Sequence, residues 1–177
     1  SSTDVNVTSS NGYVGGLMGL NTGGNITESH ATGNVSSESL VAGGLIGSNE
    51  DLVDDSYATG NVSGDTEQVG GLVGYNPSGN ISDSYATGNV SAGDAVGGLV
   101  GRLGYSFSAG TTLENSYATG AVDGDTNVGG VVGLNDDNGN VETTYAVGNV
   151  TGSTNVSGLI GYNKETVSDS YWDTETT

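Results

Sequence analysis

Apolar and polar positions in this chain alternate in short runs that never settle into the 3.6-residue period of a helix. In Ser56-Tyr57-Ala58-Thr59-Gly60-Asn61-Val62-Ser63, the small or apolar Ala58, Gly60 and Val62 share one parity. Tyr57, Thr59, Asn61 and Ser63 share the other. Period-two alternation places the first set in a tight interior and the second on an outward polar face, unless the chain bends at Tyr57 and reverses the two. A second phrase, Val69-Gly70-Gly71-Leu72-Val73-Gly74, is too short and too rich in glycine for a helix and reads as another strand. Between the phrases lie clusters such as Tyr75-Asn76-Pro77-Ser78-Gly79-Asn80 and Ser63-Gly64-Asp65-Thr66, which have the composition of turns.

Both phrases recur in step. The glycine phrase starts at 15, 43, 70, 97, 129 and 157, each time after an apolar residue, at intervals of 27 or 28 with one of 32. The tyrosine phrase recurs from Ser29, Ser84, Ser116 and Thr144 and breaks off at Ser170-Tyr171. Self-similarity at a fixed short period marks a repeat architecture. Three strands of about five residues and three turns of about four fill one unit, whereas a propeller blade needs about 40 to 45 residues. The sequence therefore predicts an all-β fold, a right-handed parallel β-solenoid (β-helix) of about six coils with three short strands per coil, forming one repeat domain over residues 1–177. At about 4.8 Å per coil its length is near 29 Å. The long interval contains an insertion at 102–110, which holds Arg102, Tyr105 and Phe107. An insertion in one repeat maps to a loop on one face, often the binding face.

Stacked coils turn sequence columns into ladders. Tyr57, Tyr85, Tyr117 and Tyr145 form one, with Asn34, Asn61, Asn89 and Asn149 beside it. Facing outward, these rings with their polar neighbours make a glycan platform, to which Tyr105 on the insertion adds an aromatic. The competing reading is that the Tyr and Asn ladders hold the coils in register. The Thr32, Thr59, Thr87, Thr119 column is the feature an ice-binding face would use, although only one Thr per coil aligns.

Charge narrows the partners. Two basic residues (Arg102 and Lys164) stand against 21 acidic ones, a formal charge of -19, which argues against nucleic acid or an anionic membrane. Carboxylates in successive coils repel by roughly 0.9 kcal/mol per pair even at the dielectric of water, and molar salt shortens the Debye length to about 3 Å. The balance therefore suggests a halophilic source. The acids form columns: Glu28, Asp55, Asp83 and Asp169 each precede the Ser of the tyrosine phrase, and Asp65, Asp94 and Asp125 lie in the turn before the glycine phrase. Asp136-Asp137-Asn138-Gly139-Asn140 is loosely calcium-loop-like, which makes Asp136, Asp137 and Asn138 candidate ligands for Ca2+ against the alternative of a solvated acidic turn. No other cofactor is implied. There is no cysteine, hence no disulfide or thiolate chemistry. No apolar run approaches the roughly 18 residues of a membrane span. No signal peptide is recognisable, and a start at Ser1 in mid-repeat is what a mature product or an excised piece would show.

Catalysis has little to work with. The single histidine, His30, occupies the Tyr position of the first repeat, where substitution within the ladder is a simpler reading than a general base. Adjacent acids such as Asp54 and Asp55 point to opposite faces of a strand. No enzyme activity is expected. Eight sequons (Asn6, Asn25, Asn34, Asn61, Asn80, Asn89, Asn149 and Asn155) are candidate N-glycosylation sites. Six of them arise from the repeat itself, and neighbouring coils leave no room for a glycan on each, so partial occupancy centred on Asn6 or Asn155 is expected.

The phrase Gly70-Gly71-Leu72-Val73-Gly74, followed by Asn76, Ile81 and Ser84-Tyr85-Ala86-Thr87-Gly88-Asn89-Val90, resembles the GLUG-motif repeat of microbial surface proteins. The closing Ser170-Tyr171-Trp172-Asp173 is similar to the way such arrays end, while His30, Ala42, Val131, Val147, Ser157 and the insertion depart from the pattern. The resemblance implies a β-solenoid segment of a cell-surface adhesin or fibre and supplies no catalytic residue. With the charge, the expectation is a non-enzymatic, extracellular structural or adhesive module of a halophilic microbe such as an archaeon. Its partners would be cell-surface glycans or neighbouring copies of itself, joined end to end through open strand edges. A glycan-binding module using the Tyr/Asn/Thr ladders is the alternative, and an ice-binding solenoid the third reading.

Overall fold

The computed structural model describes residues 1–38, 40–65 and 67–173. Thr66 of the predicted Ser63–Thr66 turn and residues 174–177 of the predicted domain lie outside the described residues. Among those described, every strand pairing is parallel, and the strands form five sheets, one of seven strands and four of six. Each coil places one strand in each sheet. In one coil these strands are Tyr57–Ala58, Val62–Gly64, Glu67–Gly70, Val73–Asn76 and Ile81–Ser82. Val62 pairs with Val35 and Val90, and Val69 with Ala42 and Val96, so equivalent residues of successive repeats lie side by side.

The parallel solenoid of about six coils is as expected, but three strands per coil must be corrected to five. The tyrosine phrase breaks at Thr59-Gly60-Asn61, the glycine phrase breaks at Gly71-Leu72, and Ile81–Ser82 is a strand of its own. The corner after that strand turns through a left-handed residue in every coil: Glu28, Asp55, Asp83, Asn115, Thr143 and Asp169 have φ of 46° to 48°. Asn and Asp tolerate this region far better than a β-branched residue. The acids before the tyrosine phrase are therefore corner residues as well as charges, and Thr143 is the strained member.

The interior is divided in two. Leu45, Leu72, Leu99 and Leu159 pack with Ile46, Val73, Val53, Ile81, Ala58 and Ala86 in one cluster. Val35, Val62, Val90 and Val122 pack with Val14, Ala42, Val69, Val96 and Val128 in the other. Glycine makes the partition possible. A Cβ on Gly74 would meet the carbonyl of Ala42, and one on Gly71 would meet the carbonyl of Gly98 and the Cβ of Ala86. At the position of Ala146 in the last coil stands Trp172, whose indole lies where a Cβ on Gly158 would be.

Arg102 and Leu103 stay in register, paired with Tyr75 and Asn76 on one side and with Leu134 and Asn135 on the other. The extra residues leave the ladder at Gly104 (φ 86°) and return at Gly110 (φ 95°).

Candidate functional site

Ala58 and Ala86 are buried, so the alternating strand turns Tyr57 and Tyr85 outward. The rings form one stack: His30 on Tyr57 at 4.7 Å, Tyr57 on Tyr85 at 4.8 Å, Tyr85 on Tyr117 at 5.0 Å and Tyr117 on Tyr145 at 4.9 Å. Interplanar angles of 1° to 6° leave the rings parallel. Burial first, and the neighbouring phenols second, push the hydroxyls of Tyr85 and Tyr117 above the usual tyrosine value. Each inner ring spends both faces on its neighbours, so the ladder offers solvent its edges and hydroxyls. Thr59, Asn61 and Ser63 are exposed on the same outward parity. His30 is a member of this stack. Tyr105 lies apart from it on the insertion, edge-on to Phe107 at 5.5 Å.

Two further ladders hold the coils. Ser56 accepts a hydrogen bond from the Ser29 amide at 3.1 Å and donates to the Asp54 carbonyl at 2.8 Å. Ser84 repeats the pattern with the Ser56 amide and the Ser82 carbonyl. On the outside, the side-chain oxygens of Asn6, Asn34 and Asn61 accept from the amides of Asn34, Asn61 and Asn89 at 2.8 to 2.9 Å. All eight sequon asparagines are exposed. These oxygens hold register while glycan attachment would use the nitrogen, and Asn155 spends its nitrogen on Asn127 at 2.8 Å.

Sequence reasoning missed a buried asparagine ladder. Asn21 donates to Asn49 at 2.9 Å and Asn49 to Asn76 at 2.7 Å, all three buried. Leu103 occupies the next position and breaks it. Asn76 turns instead to the Thr111 hydroxyl at 2.8 Å, and beyond the break Asn135 donates to Asn163 at 2.7 Å while its own buried side-chain oxygen has no partner among the described residues. Asparagine recurring at 21, 49, 76, 135 and 163 was the available signal.

The acidic turn is organised by the protein's own cations. Arg102 and Lys164, the two basic side chains of the chain, converge on Asp136, Lys164 at 2.6 Å. Lys164 also lies 3.6 Å from Asp137, which accepts from the Ser106 hydroxyl. Burial pushes the Asp136 carboxyl up, but Lys164, the Asp137 amide and Arg102 together hold it below its ordinary value. The hydrogen bond to Asp136 raises the Lys164 ammonium in turn. Asn138 donates to the Tyr105 carbonyl at 3.3 Å and takes the Glu165 carboxylate on its amide at 3.1 Å. The three residues considered for calcium thus make a charge-compensated clasp on the insertion, with both Asp136 oxygens facing protein cations. Among the described residues no group of three or more His, Cys, Asp or Glu is placed to hold a metal ion, and no helix is long and apolar enough to cross a membrane.

Comparison with curated proteins and with solved structures finds no match. The profile of the GLUG motif matches residues 10–36, 39–63, 65–91 and 92–123. Those four segments cover more than half of the sequence, and the two coils beyond them continue the same register. The chain belongs to the GLUG-motif family.

Proposed function

We propose that this chain is a non-enzymatic structural and adhesive module, displayed outside the cell of a halophilic microbe. The observation that carries this reading is the register itself. Tyr, Ser and Asn columns lock one coil to the next along the described array and present a polar, acidic exterior that repeats unit by unit. Such a surface suits a spacer, or a face that holds many weak contacts at once. The charge of -19 favours molar salt, where screening removes much of the repulsion between stacked acids. His30 serves the aromatic stack, in keeping with a non-catalytic role. Glycan attachment at some of the exposed sequons fits the same extracellular setting.

The test is adhesion. Beads carrying the purified chain should be retained on polysaccharide-coated or cell-coated surfaces at molar salt more strongly than beads carrying an unrelated acidic protein. Equal retention, with the chain shown to be folded by circular dichroism, contradicts the adhesive half of the reading.

A further inference from the structure

Recognition on a periodic scaffold is best sought where the period fails. Eight positions separate Val7 from Gly15, Val35 from Gly43 and Val62 from Gly70, but seven separate Val90 from Gly97 and Val122 from Gly129. The early coils thus carry one extra residue in the turn before the glycine phrase. A conformational switch falls inside these longer coils, since Gln68 follows the eight-residue spacing yet already has the backbone of the later coils. Two residues before the first glycine, Gln68, Ala95, Asn127 and Asn155 are left-handed, with φ from 48° to 57°. Their equivalents Tyr13 and Val41 instead lie in strands and pair with each other.

A groove of ≈ 620 Å³ opens at this switch, lined by Tyr13, Leu40 and Tyr75 with Asn11, Glu38 and Gln68 at polar positions. Tyr13 is 48% exposed and Leu40 59%. The aromatics differ from those of the ladder. No ring stacks on Tyr13 among the described residues, and Tyr75 has the Arg102 guanidinium 5.3 Å from its centroid. An open aromatic face beside amide and carboxylate groups matches the two sides of a pyranose, apolar C–H below and hydroxyls at the rim. The volume lies in the range of small-ligand sites.

We propose that this groove binds a neutral oligosaccharide, stacked on Tyr13 and hydrogen-bonded by Asn11, Glu38 and Gln68. The proposal rests on the adhesive reading above and gives it a site. Charge selects the sugar class. Glu38 lines the groove and both basic side chains are engaged by Asp136, so a uronate, sialyl or sulfate group set against Glu38 meets a like charge at contact, where molar salt screens least.

Calorimetric titration of the intact chain at molar salt tests this, with neutral gluco-, manno- and galacto-oligosaccharides and a uronate oligomer as probes. At least one neutral probe should bind and the uronate should not. Tyr13→Ala should weaken binding about tenfold, in line with the loss of an aromatic platform. Tyr13→Phe should restore it, and Tyr57→Ala/Tyr117→Ala should leave it within about twofold of the parent. If Tyr13→Ala does not fold, Gln68→Ala and Leu40→Ser carry the same expectation. Absence of neutral binding by the folded chain, equal binding of the uronate, or loss in the ladder variant alone overturns the proposal. Beads still retained by a chain that binds no sugar would sink the groove and leave the adhesive reading standing.

Discussion

The coil through Val73–Asn76 and the coil through Val100–Leu103 share the glycine phrase but hold their neighbours differently. In the first, Asn76 extends the buried asparagine ladder and the interval to the previous coil is 27 residues. In the second, Leu103 stands in the asparagine column, the Thr111 hydroxyl substitutes for one bond, and the Asn135 oxygen is stranded. What the ladder gives up is replaced beside the insertion, where Arg102 and Lys164 clasp the buried Asp136 and Ser106 reaches Asp137. Repetition lets one residue choice satisfy both neighbours. A break in it requires a separate local device.

The largest effect should come from the part both coils share. Gly71→Ala forces a methyl against the Gly98 carbonyl and the Ala86 side chain, and should cost about 3 kcal/mol or more, read as a fall in the thermal midpoint. Next is the clasp. Asp136→Asn removes charge-assisted bonds worth about 1.5 to 3 kcal/mol. The Asp136 carboxyl titrates below its ordinary range when folded, so the stability it adds is present above the ordinary carboxylate pKa and is lost as pH falls through the lowered folded value. The deficit of the variant should thus be full at neutral pH, fade in acid and shrink in molar salt, which denaturant midpoints across pH and salt will show.

The buried ladder comes third. Asn76→Ala strips Asn49 of one of its acceptors and should cost about 1 to 3 kcal/mol. The reverse change sharpens the contrast: Leu103→Asn offers the stranded Asn135 oxygen a donor, so its unfolding midpoint should fall by less than that of Asn76→Ala, or rise. Smallest is Tyr85→Ala, which removes two ring contacts on the outward face, where each is worth about 0.5 kcal/mol, the low end for aromatic pairs, and should lower the thermal midpoint least.

Sequence made the repeat, the coil count and the faces legible because period-two alternation and column identity are local signals. Ala58 and Val62 point inward and Tyr57 outward, as their parity demands. Five strands in place of three escaped because the breaks at Thr59-Gly60-Asn61 and Gly71-Leu72 interrupt phrases that read as continuous. The double interior escaped because glycine carries no hydropathy signal. The Ser56 and Asn76 columns were overlooked because polar residues are presumed solvated, and only coil-to-coil bonding explains their burial. The clasp joins Arg102, Asp136 and Lys164 across separate coils, a contact that only register reveals.

Hydrogen exchange resolved by residue is the measurement that bears most directly on the claim that in-register ladders hold this solenoid and loosen where they break. The amides of Val62, Leu72 and Leu99, each bonded to the next coil at 2.8 to 2.9 Å, should exchange slowest. Those of residues 105–110 should exchange fastest, with Gly139 and its neighbours beside the broken ladder in between. Equal protection along the chain, or slower exchange at the insertion than at Val62 and Leu72, would contradict the account.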